Sequence, residues 1–294
     1  MEASIMKPIQ HISQLEYRAH TDYKSASDLK LIKRSPMHLD KREEKKKKLG
    51  ALDFGKAFHE FILEPETFEK THVLYDEGMR PEQEKGITSK LNQQWKKELF
   101  QLAHSRDLSI ISKEQISMIE AMKDQLMSHF YARHLLTKGT SEASFFSELD
   151  GVNVKCRPDS WIVKGKNGSN VIVELKTCMD ARTEKFKRDL VTYDYYIALA
   201  FYIDIVEKVT GKPTDYIFIA IEKEPPFGFN LFRPSDQMIA CGRYEYEVMI
   251  EIWKQCQESK SFPGYGVWTD NKYDVQEIDL PGYAIKEINH KEIK

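Results

Sequence analysis

The strongest pattern of apolar and polar positions lies between residues 151 and 178. Apolar side chains occupy every second position over residues 152–156, which is the period of a half-buried strand. Pro158 cannot donate a backbone hydrogen bond to a strand ladder, so the strand is expected to bend there and to resume at Ser160. The bend leaves Asp159 between two strand segments.

A second strand is predicted at residues 171–176, after a turn rich in glycine and asparagine. Because side chains alternate across a strand, Glu174 and Lys176 point to the same side. The two strands form a hairpin, which brings Asp159 opposite this pair. The pattern therefore predicts a compact charged cluster at the end of an otherwise apolar hairpin.

This cluster has two interpretations. Carboxylates at the edge of a core need a partner, and a divalent cation held by oxygen ligands is one that suits them. Such an ion would polarise a phosphodiester and lower the pKa of a bound water, while Lys176 would position that water and offset developing charge. The alternative is a structural hairpin with a surface salt bridge between Glu174 and Lys176.

Helical periodicity dominates much of the remaining chain. Residues 49–63 have the apolar spacing of a helix that ends before Pro65, with Gly55 and His59 four residues apart on one face. The glycine allows another element to approach closely. Further helices are predicted at residues 27–34, with Ser27 as the cap, 87–104, 113–130, 180–190, 193–209 and 235–259, and further strands at 142–149, 215–222 and 227–232.

These elements predict one large domain rather than several. We place it at residues 25–260, with a helical insertion or lid at about 87–135. A flexible segment, residues 1–24, is expected before it, and an irregular tail, residues 261–294, after it.

Composition limits how the chain binds its partners. With 44 basic and 46 acidic residues the formal net charge is −2, so no global positive field attracts nucleic acid, and any such binding must use local patches. The basic run at residues 41–48 is one candidate. The four cysteines show no paired spacing, which predicts a reducing cytoplasm, and no apolar run reaches membrane length.

The order of PD, a hairpin and an apolar strand ending in ExK is the pattern of the PD-(D/E)XK nuclease superfamily, and the chain resembles it. More narrowly, RPDSWI, VIVELKT and the upstream LGALDFGKAFHEFILEPE resemble RecE-type, exonuclease VIII-like enzymes of phage and prophage recombination, which are relatives of lambda exonuclease. By motif order the resemblance covers residues 25–232. It implies an α/β fold with a central mixed sheet of about five strands flanked by helices.

The resemblance also implies a metal site. GKAFH matches the family's GxxxH motif, whose histidine reaches the metals. The implied site holds Mg²⁺, with Mn²⁺ as a substitute and two ions in each site. The implied ligands are His59, Asp159, Glu174, the carbonyl of Leu175 and Glu142, and the implied catalytic residues are Asp159, Glu174 and Lys176.

Contacts with DNA are also expected, partly from the resemblance and partly from the two basic residues that end the helix at 27–34, for which the alternative is that they only complement the helix dipole. The expected contacts are Lys33, Arg34, Arg157 and Tyr202. The tyrosine among them matches the family's QxxxY motif, but Ala198 stands where that motif has glutamine. Tyr195 and Tyr196 are candidates to replace the missing amide.

The expected function is that of a Mg²⁺-dependent exodeoxyribonuclease that degrades linear double-stranded DNA from 5′ to 3′ and leaves single strand for recombination by annealing. The resemblance implies a single-strand annealing protein as partner, a homo-oligomer, and a phage or prophage gene expressed in the bacterial cytoplasm. The alternatives are a RecB-like or restriction-like endonuclease, and an inactive DNA-binding recombination factor. The cysteine positions do not fit the iron–sulfur cluster of the RecB-like group, and the intact catalytic residues oppose an inactive protein.

Overall fold

The structure is a computed structural model that describes residues 8–42, 54–164, 168–265 and 278–281. Most of the basic run at 41–48 and the first part of the helix expected at 49–63 lie outside these ranges. No helix among the described residues combines the length and the apolar character needed to cross a membrane.

The strands follow one another along the chain as short and medium segments. They are β1 (Ile9–Gln10), β2 (His72–Tyr75), β3 (Ser109–Ser112), β4 (Thr140–Ser141), β5 (Ser144–Leu149), β6 (Val152–Cys156), β7 (Ser160–Val163), β8 (Asn170–Cys178), β9 (Thr214–Glu222) and β10 (Phe229–Phe232).

The helices lie in groups before, between and after these strands. They are α1 (Gln14–Ala19), α2 (Ala26–Arg34), α3 (Pro36–Asp40), α4 (Phe54–Leu63), α5 (Pro65–Thr71), α6 (Lys90–Ser105), α7 (Lys113–Ser128), α8 (Phe130–Lys138), α9 (Thr183–Thr192), α10 (Tyr195–Thr210) and α11 (Asp236–Ser259).

A five-stranded mixed sheet in the order β10-β9-β8-β7-β4 forms the centre of the molecule. Strands β8 and β9 run parallel, and the other neighbours run antiparallel. The expected α/β fold with a mixed central sheet of about five strands is therefore confirmed. A second sheet, β1-β5-β6, continues from it because β6 leads directly into the bend before β7.

The two faces of β8 belong to two different cores. Val171, Val173 and Leu175 pack with α4, α7 and α8 on one face. Ile172 lies on the opposite face, in the core that also contains α2, α10 and α11. The alternation predicted for this strand is thus observed, and it places Glu174 and Lys176 on the α10 side.

The start of the chain differs from the prediction. Residues 8–24 form β1 and α1 rather than an unstructured segment: β1 pairs with β5, and Tyr17 of α1 is buried. Lys155, itself buried in β6, donates hydrogen bonds to the carbonyls of Tyr17 and His20 at 2.7 and 2.5 Å. A charged side chain from the sheet, which short-range periodicity does not reveal, holds this segment in place.

The helical region also differs in detail. The helix expected at residues 113–130 ends at Ser128, because His129 is extended and its Nδ1 accepts the N–H of Ala132 to begin α8. Both α7 and α8 pack directly on the main sheet, so they form one of its layers rather than a lid. Further upstream, α2 begins one residue earlier than predicted, with Ser25 rather than Ser27 as its cap.

Candidate active site

The bend between β6 and β7 fixes the two central acids against each other. Strand β7 begins with Ser160 opposite Val173, so β8 has no β7 partner beyond that point. The Asp159 carboxylate takes the vacant place: its Oδ2 accepts the N–H of Leu175 at 2.7 Å, and its own N–H donates to Glu174 Oε1 at 3.2 Å. Each acid is therefore held by a backbone group of the opposite strand.

Lys176 completes this cluster from the same face of β8. Its Nζ lies 2.6 Å from Glu174 Oε2 and 3.9 Å from Asp159 Oδ2, and 19% of its side chain is exposed. Burial alone would lower the pKa of Lys176, but the two carboxylates outweigh it and raise that pKa above its usual value. The lysine is therefore charged and points at both acids, as the alternation of β8 predicts.

His59 approaches the cluster from the other layer. It lies on α4, and its Nδ1 is 3.4 Å from Asp159 Oδ2. Burial disfavours the imidazolium, but the neighbouring Asp159 carboxylate raises the pKa of His59 above its usual value. The structure therefore brings the histidine of the GxxxH motif next to Asp159.

The surroundings drive the pKa values of the two acids apart. Burial opposes ionisation of Asp159, yet His59 and Lys176 together hold the pKa of Asp159 well below its usual range. For Glu174, burial and the Asp159 charge raise the pKa, and Lys176 only partly compensates. Buried carboxyl groups whose pKa values diverge in this way are typical of reactive sites.

The donor set suits a hard divalent ion by its chemistry. Two carboxylates and a main-chain carbonyl are oxygen ligands of the type that Mg²⁺ prefers, and imidazole suits Mn²⁺ better. The N–H of Leu175 points to the side that β7 has left, and in a strand the carbonyl of the same residue points to that side too. As the side chains stand, no three His, Cys, Asp or Glu residues among those described come close enough to hold an ion. Glu174 is engaged by Lys176 instead, so binding would require these side chains to turn.

Further ion pairs, formed by Arg157, lie next to the two acids. Arg157 Nε donates to Glu142 Oε2 at 2.5 Å, and its Nη2 lies 3.4 Å from Glu64 Oε1. Burial and the charge of Asp159 raise the pKa of Glu142, which the arginine partly offsets. Glu142 thus lies beside the site, and its N–H donates to the carbonyl of Asp159 at 3.2 Å. Glu64 was not predicted, although it lies within the LEPE motif of the resemblance.

Arg157 does not lie on a surface open to DNA, contrary to the prediction. Its side chain is only 5% exposed, and it also donates to the carbonyl of Ile12 at 2.6 Å. Its position directly before Pro158 and Asp159 instead fixes the bend that carries the site.

The other predicted DNA contacts lie on α2 and α10. Lys33 and Arg34 are at the exposed end of α2, where Lys33 Nζ is 2.8 Å from Asp194 Oδ1 and Arg34 Nε donates to the Tyr265 hydroxyl at 2.5 Å. Tyr202 is half-buried on α10, and burial followed by the charge of Glu174 raises its pKa. None of these three residues is hydrogen-bonded to Asp159 or Glu174.

The structure places Tyr195 and Lys30 beside Lys176. The ring of Tyr195 lies 5.4 Å from the Nζ of Lys176 and also 5.4 Å from the Nζ of Lys30. Burial, with a contribution from Lys176, lowers the pKa of Lys30 to about 8. Of the two tyrosines proposed to replace the QxxxY glutamine, Tyr195 faces the site, whereas Tyr196 contacts Lys33.

Comparison with known proteins bears on the whole arrangement. One solved structure, from Eubacterium rectale and named for an inferred exonuclease activity, is 14% identical, covers 95% of this chain and 98% of its own, and superposes with a TM-score of 0.59. A second, SSO0001, is also 14% identical over 67% of this chain and 85% of its own, but its TM-score of 0.28 carries no argument. A search of curated proteins gives no match.

The similarity to the Eubacterium rectale structure supports the fold rather than the chemistry. A family model described as a PDDEXK-like domain of unknown function (DUF3799) matches residues 25–269, which include the bend, the ExK strand and α4. The chain therefore belongs to this PDDEXK-like family.

Proposed function

We propose that the protein is a metal-dependent exodeoxyribonuclease that hydrolyses phosphodiester bonds of linear double-stranded DNA. The observation that carries this proposal is that Asp159, Glu174 and Lys176 come together on β8 where β7 no longer pairs with it, with His59 beside them. A buried structural salt bridge would need only one acid and one base. Here two acids share one lysine and one histidine at the place where a strand has bent away.

Mg²⁺ is the cofactor we propose, with Mn²⁺ as a substitute and two ions in each site. The groups that would hold these ions are the side chains of Asp159, Glu174 and His59 and the carbonyl of Leu175, with Glu142 as a further acid nearby. When bound, such an ion polarises the phosphodiester and lowers the pKa of its water. Lys176 would orient the attacking water and stabilise the charge that develops on the phosphate.

The direction of degradation and the biological role rest on resemblance to RecE-type enzymes. We propose 5′ to 3′ degradation that leaves single strand for recombination by annealing, in a homo-oligomer that works with a single-strand annealing protein. A phage or prophage origin and a bacterial cytoplasmic location belong to the same proposal. An end-directed enzyme needs no base-reading module, and its contacts are expected to be with the backbone.

The test uses a linear duplex labelled at either 5′ or 3′ ends, and a covalently closed plasmid, each with Mg²⁺ and with EDTA. We expect the linear DNA to be degraded from its 5′ termini only with Mg²⁺, while the closed plasmid survives. Discrete internal fragments or linearised plasmid would identify an endonuclease instead. Binding without any cleavage, in Mg²⁺ and in Mn²⁺, would identify an inactive DNA-binding protein.

A further inference from the structure

The corner between α9 and α10 is held in an unusual backbone conformation beside the site. Asp194 has φ 52° and ψ 38°, the left-handed region, which is unfavourable for a residue with a side chain. Two lysines of α2 stabilise this corner: Lys33 Nζ lies 2.8 Å from Asp194 Oδ1, and Lys30 Nζ donates to the Tyr193 carbonyl at 2.6 Å. The corner is therefore fixed from outside rather than being a freely moving turn.

This corner presents an aromatic side chain to solvent. Tyr193 is 54% exposed, and its ring centroid lies 5.4 Å from that of Tyr195 with the planes inclined by 30°. Tyr195 in turn is flanked by Lys176 and Lys30, each with Nζ 5.4 Å from its ring centroid. An exposed ring backed by a second ring, with cations beside it, is the combination that binds single-stranded nucleic acid by stacking and by charge.

The distances connect this ring to the reacting end of the site. Tyr195 is in contact with both Lys176 and Tyr193, so one ring separates the catalytic lysine from the exposed one. Stacked nucleotides follow one another at about 3.4 Å along a strand, so a base on Tyr193 would belong to a nucleotide within about three of the phosphate at Lys176. The Nζ of Lys30 lies 5.4 Å from the Tyr195 ring centroid and 2.6 Å from the Tyr193 carbonyl oxygen, so it adds a positive charge near both rings.

We infer that Tyr193 is a stacking site for one nucleobase of the DNA strand being cut, backed by Tyr195 and fixed by Lys30 and Lys33. This inference rests on the proposed nuclease function and adds a contact that holds the strand in register near the reacting phosphate. A ring stacks on any base, so the contact does not select a sequence.

The test removes the Tyr193 ring and single DNA bases, separately and together, and measures the affinity for DNA. The measurements are made in EDTA, so that binding is observed without cleavage. The full-length protein and Tyr193→Ala are each titrated with duplexes bearing a short 5′ single-stranded end, in which one nucleotide at a time is replaced by an abasic site. We expect Tyr193→Ala to weaken binding of intact DNA about fivefold to a hundredfold, since stacking on one base is worth that much. At one position, the abasic site should weaken DNA binding by the wild type to a similar extent. The same abasic site should leave DNA binding by Tyr193→Ala almost unchanged.

Two variants serve as controls. Tyr193→Phe keeps the ring and should bind like the wild type, which separates stacking from the hydroxyl. Tyr131 lies on α8, on the opposite face of the sheet, and is 43% exposed. Tyr131→Ala should therefore leave the affinity for DNA unchanged. Circular dichroism of each variant checks folding, and because Tyr193 is largely exposed its truncation should leave no internal cavity.

A fluorescent base provides an independent measurement on the wild type. With 2-aminopurine at the position that the abasic scan identifies, binding should quench the fluorescence in the wild type and in Tyr193→Phe but not in Tyr193→Ala. Equal affinities and equal quenching for the wild type and Tyr193→Ala at every position would overturn the inference. Failure of the nuclease proposal would appear separately, as loss of Mg²⁺-dependent cleavage with the stacking contact intact.

Discussion

Replacing Lys176 by methionine tests whether the buried charges are balanced as the structure indicates. Methionine keeps most of the side-chain volume but removes the charge, so that Glu174 and Asp159 face each other without the lysine. Under the proposed function we expect the variant to lose DNA cleavage, because Lys176 is the residue proposed to orient the attacking water and to offset charge on the phosphate. We also expect it to be less stable than the wild type when no divalent ion is present.

The size of that destabilisation follows from the distances. At 2.6 and 3.9 Å, with an effective dielectric constant of about 20, Lys176 attracts the two carboxylates by about 6 and about 4 kcal/mol before any desolvation cost. Removing one partner of a buried pair typically costs about 3–5 kcal/mol. Because the three side chains retain some exposure, we expect a loss near the lower end of this range, about 3 kcal/mol in the free energy of unfolding.

The effect should depend on pH in a defined direction. The pKa of Glu174 is already raised by burial and by Asp159, and Lys176 opposes this. Without the lysine, the folded-state pKa rises further above the unfolded value near 4.5, so the folded variant takes up a proton that the unfolded chain releases. A raised pKa gives stability below the unfolded pKa that is lost as pH increases, so the destabilisation should be larger at pH 8 than at pH 5.

Urea denaturation in EDTA at both pH values measures this, with a repeat in excess Mg²⁺. A bound ion would replace the missing positive charge and recover part of the lost stability. Lys187→Met is a matched control, since Lys187 pairs with Glu184 at 2.8 Å but both side chains are mostly exposed. It should change the free energy of unfolding by no more than about 1 kcal/mol. Equal stability of Lys176→Met and the wild type at pH 8 in EDTA would refute this account of the site.

Three further changes probe other parts of the molecule. His59→Ala should shift the Mg²⁺ titration of cleavage to higher concentration, and superimposable titration curves would exclude a role in metal binding. Replacing Lys33 and Arg34 together by methionine should weaken binding to 5′-phosphorylated ends more than to dephosphorylated ends, with a shallower salt dependence; equal losses would indicate a general role. Gly242→Ala places a Cβ 2.1 Å from the Tyr196 carbonyl oxygen, so it should force α10 and α11 apart. The expected loss is about 1–3 kcal/mol in the free energy of unfolding, seen as a lower melting temperature. An unchanged melting temperature would contradict this packing.

The sequence predicted the centre of the site because its pattern there is local. The alternation of β8 places Glu174 and Lys176 on one side, and Pro158 interrupts the ladder just before Asp159. The turn at Asp150 and Gly151 also forms as expected, with φ of 49° and 78° at the two residues. Each of these consequences follows from a few neighbouring residues, whatever the rest of the chain does.

The residues that the sequence did not reveal come together from distant parts of the chain. Lys30 reaches the site only because α2 packs beside α10, 163 residues away from Tyr193. Tyr193 appears in the sequence as the start of a helix, but the chain turns at Asp194 and leaves its ring exposed. No periodicity distinguishes such a residue from an ordinary helical tyrosine, because the turn depends on lysines of another helix.

Arg157 links the local sequence pattern to contacts between distant parts of the chain. It follows the alternating strand β6, where its sequence position indicates only a basic residue beside the site. In the structure it joins the carbonyl of Ile12, Glu64 after α4, and Glu142 before β5, and each of these acceptors comes from a different segment. A buried guanidinium needs several such acceptors, so these segments must be in place for the bend to be stable. The local motif therefore supplies the charged groups of the candidate site, and the long-range ion pairs of Arg157 hold the bend that carries Asp159.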